Sequence, residues 1–128
     1  MILLLDTSTP VCKLSLVDGD WRYDAEWESG RELAKGLLGY IQSELGAQGK
    51  SFNDLTGLVA FQGPGSFTGL RIGITVLNTL SYADRLPIVG ATGDNWQQEG
   101  LARIRNGESD DIVLPEYGAE ANITTPRK

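Results

Sequence analysis

The sequence predicts an α/β fold in which a five-stranded mixed sheet carries helices on its faces. Three observations predict it. The chain opens on consecutive apolar residues, "ILLLD", as a strand covered on both sides requires. Two stretches of strict apolar–polar alternation follow, and then the apolar spacing lengthens to three and four residues. After that, short apolar runs and helical stripes take turns, which is the signature of parallel strands joined by helical crossovers.

Each element has its own warrant. In "CKLSLVD", Cys12, Leu14 and Leu16 point one way and Lys13 and Ser15 the other. Asp18-Gly19-Asp20 is a hairpin signal. "WRYDAEWES" then sets Trp21, Tyr23, Ala25 and Trp27 against Arg22, Asp24, Glu26 and Glu28, a half-exposed strand with its aromatics in the core. From Arg31 to about Gln48, Leu33, Leu37, Ile41 and Leu45 form one helical stripe, with Ala34 and Leu38 beside it. Ser51 and Asp54 stand at capping-box spacing. "GLVAFQ" reads as the fourth strand, Ser66 to about Asp84 as the second helix, and "LPIVGAT" as the fifth strand. "TGDNWQQEGLARIR" is a third helix, expected to be capped by Thr92 or Asp94. Residues 1–107 then make one domain, and 108–128 an extended tail packed on it or partly mobile. The order β-β-β-α-β-α-β-α is the ribonuclease-H-like layout of actin-type ATPases and sugar kinases.

Composition narrows the chemistry. Seventeen acidic against eleven basic residues give a net charge of -6, which repels a phosphate backbone and disfavours direct nucleic-acid binding. Histidine is absent, so Ser-His-Asp and Cys-His pairs and the HExxH zinc motif are excluded. The lone cysteine, Cys12, permits no intramolecular disulfide and reads as a buried structural thiol. "MILLL" lacks the basic start of a signal peptide, and no apolar run approaches the roughly 18 residues of a membrane span. The expected location is cytoplasmic, with no membrane partner.

Two motifs could carry chemistry. "GPGSFTGLRIG" could cradle phosphate on backbone amides at the start of the second helix, through Gly65 and Ser66. It lacks the Gly-Lys-Ser/Thr ending of a Walker A loop. The preferred reading is a strand-to-helix turn in which Pro64 fixes a dihedral, Gly63 and Gly65 take positive φ, and Ser66 caps. "LLLDTSTP" ends a strand on Asp6, followed by Thr7 and Ser8, where magnesium and phosphate would sit in an ATPase of this layout; a turn closing the hairpin is preferred here too.

The second helix says more. Phe67, Leu70, Ile72, Ile74, Val76, Leu77 and Leu80 spread over an arc of about 220°, wider than one core stripe. Gly69 and Gly73 lie inside that arc, where small residues admit another backbone. The expected partner surface is therefore Gly69, Leu70, Gly73, Val76, Leu77 and Leu80, joined by Leu37 and Ile41 of the first helix.

"MILLLDTSTPVCKLSL" and "GPGSFTGLRIGI" together resemble the TsaB (YeaZ) family; "LPIVGAT" leading into a helix does so as well. The likeness covers about residues 1–105, and the second motif matches almost letter for letter. The resemblance implies an actin/sugar-kinase/Hsp70-type fold. It also implies a non-catalytic adaptor that pairs with a TsaD-like transferase making N6-threonylcarbamoyladenosine at adenosine 37 of tRNA. A TsaE-like ATPase would join them, tRNA would be met only through the complex, and ATP, magnesium and a metal would belong to the partner subunits. Family members typically carry a second domain, for which this chain leaves no room, while "VLPEYGAEANITTPRK" resembles the family's C-terminal end. Asp6, Thr7, Ser8, Gly65 and Ser66 would then be vestigial nucleotide contacts. Two other readings stand beside the adaptor. One is a minimal Mg-ATP-binding phosphotransferase or ATPase completed by homodimerisation. The other is a stand-alone homodimeric binding module, since an exposed apolar helix self-associates when its partner is absent.

Overall fold

A computed structural model describes residues 1–116. Its sheet is built from β1 (Ile2–Asp6), β2 (Val11–Asp18), β3 (Trp21–Glu28), β4 (Gly57–Gly63) and β5 (Ile88–Thr92) in the order β3-β2-β1-β4-β5. The first three strands form an antiparallel meander, with Leu3 opposite Leu16 and Leu14 opposite Ala25. β4 and β5 then run parallel to β1, reached through α1 (Leu33–Ala47) and α2 (Phe67–Asp84). α3 (Trp96–Arg105) closes the regular structure. This is the mixed α/β, ribonuclease-H-like arrangement that the element order predicts.

β1 is apolar at successive positions because it is covered twice. Leu3 and Leu5 join the core beneath α1 and α2, with Leu37, Ile41, Leu45, Leu70, Ile74 and Leu77. Ile2 and Leu4 face the other way, with Val59 and Val89, under Leu101 and Ile104 of α3. Alternation on β3 reflects cover on one side only. Tyr23, Ala25 and Trp27 are half-buried, whereas Arg22, Asp24, Glu26 and Glu28 are exposed. Trp27 stacks on Tyr40 with ring centroids 5.0 Å apart. Gly36 makes room for it, since a Cβ there would press into the indole ring.

The Ser51–Asp54 capping box forms, with the Asp54 carboxylate accepting from the Ser51 N–H at 2.9 Å. The expected cap of α3 differs. Its N-cap is Asn95, without a side-chain cap bond. Gly93 enters the left-handed region (φ 78°) and donates its N–H to the Gly63 carbonyl, so the chain is still tied to the end of β4 where capping by Thr92 was expected.

Beyond α3 the chain packs back as an extended strap. Arg103 holds Glu108 and Asp110, and the Asp110 carboxylate accepts from the Gly90 N–H at 2.9 Å. The Asn78 side-chain amide then grips Val113 twice, donating to its carbonyl and accepting from its N–H, each at 2.9 Å. Val113 is buried in the core below α2. The rest of the expected tail, from Tyr117 onward, lies outside the described residues.

Candidate functional site: the glycine turn and the helix pair

The turn after β4 is where sequence reading placed both the phosphate contacts and the start of the partner helix. A cis peptide joins Gly63 to Pro64, and Gly63 has φ 130°, as expected of a glycine position. Gly65 does not take a positive φ. It is glycine for a different reason: a Cβ there would overlap the Cβ of Ser8. Ser66 caps α2 as expected, its Oγ accepting from the Gly69 N–H at 3.2 Å.

The candidate phosphate contacts come together, but they spend their polar groups on one another. Asp6 Oδ1 accepts from the Ser8 N–H at 2.8 Å. Thr7 is buried and donates its hydroxyl to the Gly69 carbonyl at 2.6 Å. The Ser8 carbonyl accepts from the Ser66 N–H at 2.8 Å, and the Ser66 carbonyl from the Leu70 N–H at 2.9 Å. The loop after β1 is thus laid onto the start of α2. On the α3 side of this turn lies a cleft of about 310 Å³, lined by Asp6, Phe61, Pro64, Gly93, Asp94 and Trp96. Its two carboxylates oppose phosphate by charge. Among the described residues no group of three or more acidic, cysteine or histidine side chains could hold a metal.

Cys12 is fully buried beneath α1. Burial, and then the negative charge of Asp6, push its thiol up to about 12, which keeps it protonated and unreactive.

The helix pair places most of the expected partner surface inside the chain. Of its eight residues, Gly69, Leu70, Gly73 and Leu77 of α2 and Leu37 and Ile41 of α1 are buried within the chain itself. What comes close to Gly69 and Gly73 is the chain's own Thr7, its backbone at the first and its side chain at the second. A Cβ at Gly69 would overlap the Thr7 carbonyl oxygen, and one at Gly73 the Thr7 hydroxyl. An apolar arc records how much of a helix is covered; it does not say which part faces the sheet. Only Val76 and Leu80 remain half-exposed.

The accessible surface of the pair lies one row further out. A shallow groove of about 350 Å³ runs between the helices over Ala34, Thr68, Arg71, Ile72, Thr75 and Val76. It adjoins a second of about 620 Å³ that extends past Arg31, Ser29 and Thr9. Leu38, 51% exposed, stands on the same helix as Ala34 at i+4. Thr68, Arg71 and Thr75 were missed from sequence because they lie on the polar flank of α2. Their i, i+3/i+4 and i+7 spacing was the available signal.

No described helix is long and apolar enough to cross a membrane. A family model described as "TsaD: tRNA N6-adenosine threonylcarbamoyltransferase" matches residues 28–92, about half of the chain. The chain is 34% identical to the tRNA threonylcarbamoyladenosine biosynthesis protein TsaB of Escherichia coli, over 94% of this chain and 56% of that protein. It is 32% identical to the TsaB of Haemophilus influenzae, over 69% and 37%. Among solved structures it resembles YeaZ from Pseudomonas aeruginosa, with a TM-score of 0.67 and 28% identity, over 83% of this chain and 49% of that one. The chain thus spans about half the length, or less, of the relatives it matches. The matched segment runs from the end of β3 through the glycine turn and α2 to β5, the part of the fold that carries the helix pair. The chain therefore belongs to the family of that model and, within it, to the TsaB (YeaZ) proteins.

Proposed function

We propose that this chain is a non-catalytic adaptor that pairs with a TsaD-like transferase for N6-threonylcarbamoylation of adenosine 37 in tRNA. The names of its relatives support the process. The observation that carries the adaptor role is the outer face of α1 and α2. Ala34, Leu38, Ile72 and Val76 form an accessible apolar strip there, edged by Arg71 and Thr75. Such a strip suits a second pair of helices packing ridge into groove. In this reading the buried members of the earlier list act by holding the two helices at a fixed spacing on the sheet. A TsaE-like ATPase joins the pair, tRNA is met through the assembled complex in the cytoplasm, and nucleotide and metal belong to the partners. The self-satisfied hydrogen bonding of Asp6, Thr7, Ser8 and Ser66 favours this reading over a Mg-ATP-dependent enzyme.

Light-scattering chromatography of the chain, alone and mixed with the TsaD paralogue of the same genome, tests it. A one-to-one complex is expected, together with tRNA threonylcarbamoylation that depends on this chain. Absence of the complex, or modification that proceeds equally without the chain, overturns the proposal.

A further inference from the structure

β5 ends the sheet, so one side of it carries backbone groups that β4 does not pair. An open edge of this kind is a template for any extended chain. Here the strap, residues 109–116, takes it together with Arg103. The Ile88 N–H donates to the Ser109 hydroxyl at 3.2 Å, and the Ile88 carbonyl accepts from the Asp110 N–H at 2.7 Å. The Gly90 N–H donates to the Asp110 carboxylate at 2.9 Å, and the Gly90 carbonyl accepts from the Arg103 guanidinium at 3.3 Å.

The strap covers the edge without becoming a strand. Of these bonds only the one from Asp110 to Ile88 joins backbone to backbone; side chains make the others. Its hold is correspondingly light. Val113 is the one buried residue of the strap. The Arg103–Asp110 ion pair is 33% and 31% exposed, and solvent screens such a pair. A segment with a single buried apolar side chain opens at a lower free energy than the core it lies on.

The surface beneath the strap is nevertheless specific. Val113 lies over Gly90, where a Cβ would press into the valine side chain. Asn78 holds the Val113 backbone at both its N–H and its carbonyl. Arg103 takes the Asp110 carboxylate. Together these groups read a carboxylate, an extended backbone and, three residues after the carboxylate, a β-branched apolar side chain. That is the recognition chemistry of a peptide groove beside a sheet edge, and the chain fills it with its own segment.

We propose that the strap is a displaceable guard: it leaves and regains the β5 edge as a unit while the rest of the fold stays intact, and the edge it uncovers binds an extended peptide of the pattern Asp-x-x-Val. The site lies apart from the α1–α2 strip and does not rest on the adaptor reading.

Amide hydrogen exchange of the wild-type chain in low urea tests the first half. Ile88 and Gly90 should exchange faster than Val59 of the central β4, with little dependence on urea, because opening of the strap exposes little surface. Asn78→Ala, which touches neither residue, should speed both by the same factor, roughly tenfold or more, through the two bonds lost to Val113. Rates and urea dependence equal to those of Val59, or unequal responses of Ile88 and Gly90 to Asn78→Ala, overturn the proposal.

Fluorescence anisotropy with a labelled synthetic peptide of residues 109–116 tests the second half. The full chain carrying Asp110→Ser and Val113→Ser, its fold checked by circular dichroism, should bind the peptide roughly tenfold tighter or more than wild type, whose own strap competes at high effective concentration. The peptide with Val113→Asp should not bind. A folded variant that takes up the peptide no better than wild type, or takes both peptides equally, overturns it.

Discussion

The side chain of Thr7 occupies the space in which a side chain at Gly73 would begin, while its hydroxyl is bonded to the Gly69 carbonyl one helical turn earlier. The two glycines of α2 are therefore a seat for the end of β1. Gly73→Ala should destabilise the chain by about 1–3 kcal/mol, the usual effect of overpacking, and Gly73→Glu should fail to fold. Urea unfolding would measure the first and soluble expression the second. Combining Gly73→Ala with Thr7→Ala should recover part of the loss, because the sites are in contact and their effects are coupled.

The strip on the outer face of the helix pair makes a separate prediction. Leu38→Glu removes a half-exposed apolar side chain without touching the core, so its thermal stability should change by about 0.5 kcal/mol or less. Pairing with the TsaD paralogue should nevertheless weaken roughly tenfold or more if this residue anchors the contact. Wild-type affinity for both Leu38→Glu and Val76→Glu, measured by calorimetric titration, would remove this face from the interaction.

The strap adds an acid-sensitive element. The Arg103 guanidinium, and then the Gly90 N–H, hold the Asp110 carboxyl below its ordinary value of 3.8 against the opposing effect of partial burial. A carboxyl depressed in the folded state contributes stability that is fully present above the unfolded value and is lost as pH falls through the folded one. The urea midpoint should therefore decline as pH drops below 3.8, and Asp110→Asn should flatten that decline. Asn78→Ala should cost about 1–3 kcal/mol at neutral pH, because it strands the N–H and carbonyl of Val113.

Cys12 behaves in the opposite sense. Its thiol rises from 9.0 to about 12 on folding, so the folded chain keeps a proton that the unfolded chain gives up. Stability should fall as pH climbs from 9.0 towards 12. Alkylation by iodoacetamide at neutral pH should be negligible in the native chain and rapid in denaturant. Rapid alkylation without denaturant would show that the site beneath α1 opens readily.

The sequence by itself determined the elements and their order. Period-two and period-four spacing are local consequences of strand and helix geometry, so "WRYDAEWE" and the Leu33–Leu45 stripe were legible without any tertiary information. The Ser66 cap and the Ser51–Asp54 capping box were legible for the same reason, since their partners lie three residues away. Contacts distant in sequence were decided only by the tertiary structure. Gly65, Gly69 and Gly73 read as a turn residue and a partner's docking groove, and all three turned out to accommodate the loop after β1. Which side of α2 meets the sheet, and so which of its apolar residues remain outside, depends on where β1 and α1 stand. The cover over the β5 edge likewise exists only because the strap, pinned by Asn78 and Arg103, returns past the end of α2. Periodicity is a property of one segment, whereas a surface is what remains after the segments have packed.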